Sequence, residues 1–319
     1  AVDLITLNGN TSGTIDASTL SEIEGTAANA NTIYDTKSGG DGFTGLGDEA
    51  ITLTDTTVGA AALIDLYTNG TSGIIDASTV HTITGTTANA NTIYSQTSTF
   101  TGLGTENITI QGESSNTLVV ASLNTLNGNT TGNINADTVT TLTGSITDLN
   151  TAYTASAATG DGISNLGNEA ITLSDTSVTD ISALTTLNSN TTGNINADTV
   201  TTLTGAISDL NTAYAASAST GDGISNLGNE AITLSDTSVT DVAALNTLNG
   251  NTTGLIDADT VSSFTGSISA LNTMFAAKAA SGDGISFSGS AGAADQTVSI
   301  SDTTDVSVTG LNTLNTNTS

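Results

Sequence analysis

The sequence predicts a mainly β chain: a right-handed parallel β-solenoid with short helices in some coils, made of about five repeats of roughly 61 residues, each of two or three coils. Three observations predict it. First, Gly13, Gly73, Gly132, Gly193 and Gly254 close near-identical phrases at spacings of 60, 59, 61 and 61 residues. A period this long marks an array, because one unit cannot bury its own apolar face and needs its neighbours. Second, each glycine leads into an Ile-(Asp/Asn)-Ala type stretch whose apolar residues alternate as in a strand. Third, the 319 residues contain no Pro, which long hydrogen-bonded ladders exclude because it lacks a donor. Right-handedness follows from the hand of crossovers between parallel strands.

The fourth copy shows the elements in order. In 193–205, Ile195 and Ala197 alternate as a strand, Val200 and Leu203 continue the apolar series, and glycine marks both ends. Ile207, Leu210 and Tyr214 then fall at i, i+3 and i+7, one face of a short helix with Ala-rich flanks. The loop 219–223 breaks it. A second strand follows at 231–236 with Ile232 and Leu234 inward. Val239, Val242, Leu245 and Leu248 recur every three residues, which suits a short helix or a tight turn capped by Ser238 or Thr240. Asn249 and Gly250 supply a turn into the next copy.

The chain reads as one solenoid, 1–319, with repeats at 1–63, 64–122, 123–184, 185–245 and 246–310, and 311–319 opening a further one. Copies differ most between the Tyr column and the following Ile: Tyr34 to Ile51, Tyr94 to Ile108 and Tyr214 to Ile232 span 17, 14 and 18 residues. Variation confined there marks a surface loop. Ser12 and Ser319 share a phase, 307 residues apart. Uncapped ends of this kind invite another copy and give open filaments.

Composition narrows the function. Thirty-one acids against Lys37 and Lys278 give a formal charge of −29, which opposes nucleic-acid and anionic-membrane partners. There is no Cys, so disulfides and thiolate sites are out. No apolar run is long enough to insert in a membrane.

Candidate chemistry recurs instead of converging. Asp137, Asp198 and Asp259 share one phase, and Asp175, Asp236 and Asp302 another. Asp41, Asp161, Asp222 and Asp283 share a third, in Gly-Asp-Gly loops, and are the candidate Ca²⁺ ligands, calcium being the one cofactor in view. Gly39 to Thr44 resembles the Ca²⁺-binding nonapeptide of secreted toxin repeats, with Thr44, Ser164, Ser225 or Ser286 where its ligating Asp belongs. The alternative for all these acids is turn chemistry on a solvated surface. Asn31, Asn91, Asn150, Asn211 and Asn272 suit a hydrogen-bonded ladder along the axis. Tyr34, Tyr94, Tyr153, Tyr214 and Phe275 form one column, read as packing instead of a sugar platform because Phe replaces Tyr in it. Asn10, Asn69, Asn107, Asn129, Asn190 and Asn251 are sequon positions that could carry glycans. His81, the one His, replaces Ser or Thr of other copies and is expected in solvent. The Thr pairs 138/140 and 199/201 have ice-binding spacing, which the other copies break. No residue qualifies as catalytic, and the chain is read as not an enzyme.

The phrases at 193–205 and 227–240 resemble tandem-repeat β-solenoid regions of very large secreted and surface proteins of bacteria, of the adhesin, surface-layer and filament kinds, across nearly the whole chain. The stretch 173–184 also resembles a bacterial leucine-rich repeat. The first resemblance implies an extracellular or cell-surface scaffold. The expected function is a structural subunit or segment that stacks head to tail with itself into a filament, sheath or surface layer; the alternative is an adhesin stalk, Ca²⁺-stabilised.

Overall fold

One 61-residue period folds as helix, strand, strand, helix, strand, strand. The computed structural model describes residues 1–37, 42–156, 160–217, 221–279, 281–287 and 296–318. They form two compact units, Ala1–Leu142 with Thr151–Leu166, and Thr143–Asn150 with Gly167–Ser319. The fourth period lies in the second unit: helix Ile181–Asn190, strands Asn194–Asn196 and Thr202–Gly205, helix Ile207–Ala215, strands Gly223–Ser225 and Ala231–Leu234. The helix Val242–Asn251 opens the next period.

The helices form for local reasons. Ile181, Leu184 and Leu187 present one buried stripe, and the carboxylate of Asp180 accepts the Ser182 N–H at the helix start. Val242, Leu245 and Leu248 repeat this, with Asp241 accepting from Ala243. The cap is therefore Asp241, not Ser238 or Thr240, and Asn249 and Gly250 end the helix from within it instead of forming a separate turn.

Every described strand pairing is parallel, and one apolar residue per strand builds each buried column. In the second unit Val178, Leu203, Ile232, Ile256 and Ile285 stand side by side, each at most 4% exposed. In the first unit Val58, Ile83, Ile108, Ile134 and Ile163 form a like column, each at most 5% exposed. β-Branched side chains fit this half-buried pleated surface. Counting the single-residue bridge at Val239 as a strand site, each of these pairings joins sites two apart along the chain, and a helix lies in the crossover. In the second unit the helices at 181–190, 207–215, 242–251, 268–276 and 308–317 pack in that order. The arrangement is α/β, and this corrects the expectation of a mainly β chain. Each of these half-periods spends nine or ten residues on a helix, because a crossover between short parallel strands needs an apolar stripe to lie on the sheet.

The ladders are short. Each of the two named above has five strands. In the second unit one ladder ends at Ile224 and another at Ile285, while new ones open at Val178 and Val239, again 61 residues apart. The cause is a mismatch within the period: the half containing Ile195 and Leu203 has two strand sites, and the half containing Ile224, Ile232 and Val239 has three. The pairing therefore steps sideways by one site each period. The chain itself seals each closing edge. The N–H groups of Ile163, Ile224 and Ile285 donate at 2.9 Å to the carbonyls of Ala155, Ala216 and Ala277, just upstream. Covering an edge in this way removes a template for further pairing.

Polar side chains lock coil to coil. Asn31, Asn91, Asn211 and Asn272 donate to the main-chain carbonyls of Ala62, Ser122, Ala244 and Gly310 on the next helix at 2.9–3.1 Å. The expected axial bonding of this column is thus Asn to carbonyl. The acids at 175, 236 and 302 cap helices of the preceding half-period: Asp175 takes the N–H of Ile146, Asp236 of Ile207 and Asp302 of Ile268, all at 2.8 Å. Asp55 and Glu113 do so for Ala27 and Thr87 in the first unit. Position 206 is Ala and has no side-chain acceptor, so Asp236 is that helix's cap. Asp236→Ala is expected to cost about 1–2 kcal/mol, read as a lower urea midpoint, with Asp236→Asn closer to the parent.

Candidate functional site: a buried glutamate hub repeated along the chain

The best-defined constellation lies beneath the loop Leu-Gly-x-Glu. Glu49, Glu106, Glu169 and Glu230 are each at most 1% exposed. Burying a carboxylate is costly unless its charge meets donors. Here one oxygen, Oε2, accepts the N–H of the glycine two residues before it, Gly47, Gly104, Gly167 or Gly228, at 2.8–2.9 Å. The same oxygen of Glu49, Glu106 and Glu230 accepts the phenol O–H of Tyr34, Tyr94 and Tyr214 at 2.8 Å. Lys37, a base close to this column, is committed elsewhere: its Nζ donates to the carbonyls of Asn69 and Gly70 and lies 5.4 Å from the Tyr34 ring centroid.

The repeated Thr-(Ser/Thr)-Gly phrase closes the hub from the other side. Thr71, Thr130, Thr191 and Thr252 are buried, and their hydroxyls donate to the main-chain carbonyls of Glu49, Glu106, Glu169 and Glu230 at 2.6–2.9 Å. Each hydroxyl also accepts the N–H of the glycine two residues on, Gly73, Gly132, Gly193 or Gly254. A Cβ on any of these glycines would lie 2.1–2.4 Å from the Glu carbonyl oxygen. The most conspicuous glycine of the repeat is thus set by close approach of two backbones.

The fifth copy departs at two positions together. It has no Leu-Gly-x-Glu loop, and its column residue is Phe275. Phe275 packs with Phe264 and Phe287, at centroid distances of 6.4 and 5.6 Å. Where the carboxylate is missing, so is the hydroxyl that would need it. The Tyr column therefore packs, as expected, but it is also polar machinery, and the glutamates are the residues that sequence reasoning passed over. The joint loss of Glu and the Tyr hydroxyl is the signal that could have found them.

Burial pushes the phenols of Tyr34, Tyr94 and Tyr214 well above the ordinary tyrosine range, and the hydrogen bond to and charge of the adjacent Glu push the same way. The folded state thus holds these protons more tightly than the unfolded chain, whose phenols titrate near pH 10. Their contribution is complete below about pH 10 and is lost as pH climbs toward the folded values. Ultraviolet titration is expected to show tyrosines that ionise only together with loss of helical circular dichroism.

Asp161, Asp222 and Asp283 are exposed, and Asp41 lies outside the described residues. Among the described residues no group of three or more His, Asp or Glu side chains is placed to hold a metal. Asp198 and Asp259 are exposed in turns where their N–H groups donate to Asn196 and Asp257 side chains. His81 is exposed, with Nδ1 2.6 Å from the Thr79 carbonyl oxygen. Of the sequon positions, Asn129, Asn190 and Asn251 direct their amide N–H to Asn91, Asn150 and Asn211 at 3.1–3.4 Å. No helix among the described residues is long and apolar enough to cross a membrane. Comparison with protein families, with curated proteins and with solved structures found no match. What the hub does chemically is hold a helix, a loop and a turn of different half-periods at fixed spacing.

Proposed function

We propose that this chain is a right-handed parallel β-solenoid with a structural role at the cell surface or outside the cell, which stacks end to end with further copies of its own repeat. It is a scaffold, not an enzyme. The observation that carries this reading is a comparison of equivalent helices. Val242, Leu245 and Leu248 are fully buried, covered by the next half-period. At the C-terminal helix their counterparts Val308 and Leu311 are 72% and 37% exposed while Leu314 is buried, and at the N-terminal helix Leu7, counterpart of Leu248, is 49% exposed. Inside the chain such a face is covered by another copy of the repeat, so another copy is the partner that fits it. Val308 and Leu311 have the shape and apolarity of side chains that are buried elsewhere, and covering one such side chain is worth about 1.5–3 kcal/mol.

Further support comes from the recurrence of nearly every distinctive side chain, where a catalytic site is unique. The resemblance to repeats of large secreted proteins supplies the extracellular setting. Head-to-tail self-association is the partner; nucleic acid and anionic membrane are not, at a formal charge of −29. Electron microscopy and sedimentation of the purified chain test the reading. Concentration-dependent filaments with a regular axial repeat, lost in the Val308→Asp/Leu311→Asp variant, are expected. Single molecules at every concentration, in parent and variant alike, would overturn self-stacking and favour an adhesin stalk.

A further inference from the structure

The second period differs from the others at the segment between the Tyr column and the strand that closes its ladder. Tyr94 to Phe100 spans six residues, whereas Tyr34 to Phe43 spans nine and Tyr214 to Ile224 ten. The Phe100 N–H reaches back to Gln96 at 3.0 Å, where Ile224 reaches Ala216. In this period Tyr94 is half-buried, while Tyr34 and Tyr214 are 4% and 7% exposed. Beside Tyr94 lies a cleft of about 370 Å³, lined among others by Gln96, Thr97, Phe100, Leu103 and Asn129.

We propose that this cleft binds a neutral saccharide of one or two pyranose units. Its volume is at the lower end of the 300–1,000 Å³ typical of small-molecule sites. None of its lining residues is charged, and the chain carries −29 overall, so an anion finds no counter-charge there and a cation no lining carboxylate. The Tyr94 ring and Leu103, both partly exposed, offer apolar surface, with only an edge of Phe100 beside them, and the Gln96 and Asn129 amides and the Thr97 hydroxyl offer both donors and acceptors. A pyranose has the matching pair of features, an apolar C–H face and a rim of hydroxyls. Tyr94 is held in place before any ligand arrives, because its O–H is tied to Glu106, which in turn holds the Gly104 N–H at 2.8 Å. Such preorganisation lowers the cost of binding. The site is independent of end-to-end stacking and can stand or fall without it.

The test is NMR of the full chain carrying ¹³C-labelled Tyr and Phe, titrated into the millimolar range with maltose, cellobiose, lactose and chitobiose. Saturable shifts at Tyr94 and Phe100 are expected for at least one sugar. Gln96→Ala, on the surface of the cleft, is expected to weaken that binding about tenfold, the worth of one hydrogen bond. Absence of saturable shifts with all four sugars overturns the proposal, as does binding that Gln96→Ala leaves unchanged.

Discussion

Glu230→Ala lowers the stability of the second unit by about 3 kcal/mol, read from urea unfolding. The substitution strands two donors that share Oε2 of Glu230, the buried Tyr214 hydroxyl and the partly buried Gly228 N–H. Each stranded donor costs about 1–3 kcal/mol. Part of this is offset, because the wild-type carboxylate is itself imperfectly satisfied: its Oε1 is buried with no hydrogen-bond partner among the described residues. Glu230→Gln keeps an acceptor in the same place and costs less, about 1 kcal/mol. A cycle with Tyr214→Phe isolates the pair. Once the hydroxyl is gone, Glu230→Ala should become milder by about 1–2 kcal/mol. The fifth copy has already made the paired change, with Phe275 in the column and no Leu-Gly-x-Glu loop. Equal effects of Glu230→Ala in the parent and in the Tyr214→Phe variant would show that the hub is not a coupled unit.

Gly254→Ala is expected to cost a similar amount, about 3 kcal/mol, through sterics alone. Its Cβ would lie 2.1 Å from the Glu230 carbonyl oxygen and 2.5 Å from the carbonyl carbon, both rigid backbone. Making room pushes the turn away and breaks the bridge from the Thr252 hydroxyl to the Glu230 carbonyl and the Gly254 N–H. Gly250, four residues earlier, is the control. A Cβ there meets nothing within 4 Å, and the residue lies in the helix Val242–Asn251. Gly250→Ala should therefore be neutral or stabilising by up to about 1 kcal/mol. Comparable losses at both positions would remove the close-approach explanation for the repeated glycine.

These two residues mark where reading from sequence succeeds and where it stops. The helix at 207–215 and the strand at 231–234 were legible because each carries a periodic set of apolar residues, and the helix at 242–251 was one of the two readings its three-residue spacing allowed. The strands Thr202–Gly205 and Gly223–Ser225 were not separated out, since each is three or four residues long and a single inward Leu or Ile has no period. The importance of Gly254 was visible from recurrence, but its cause was not: the carbonyl it must avoid belongs to Glu230, in a different half-period. Asp236 was seen as one of a row of acids, with turn chemistry on a solvated surface as the reading open to it. Its true partner, the Ile207 N–H, lies 29 residues upstream. Repetition revealed which residues matter; only the pairing of one coil with the next revealed what they touch.

The short ladders have a mechanical consequence. A sheet that ran unbroken through every period would let a tear started at one end travel the whole way, each lost strand baring the edge of the next. In the ladder from Val178 to Ile285 such a tear meets its last strand after five, where the carbonyl of Ala277 already holds the Ile285 N–H. The next ladder opens at Val239 and is joined to the first by chain and helices, not by continuation of the same row of hydrogen bonds. Damage is thereby confined to one segment, as a ripstop weave confines a cut.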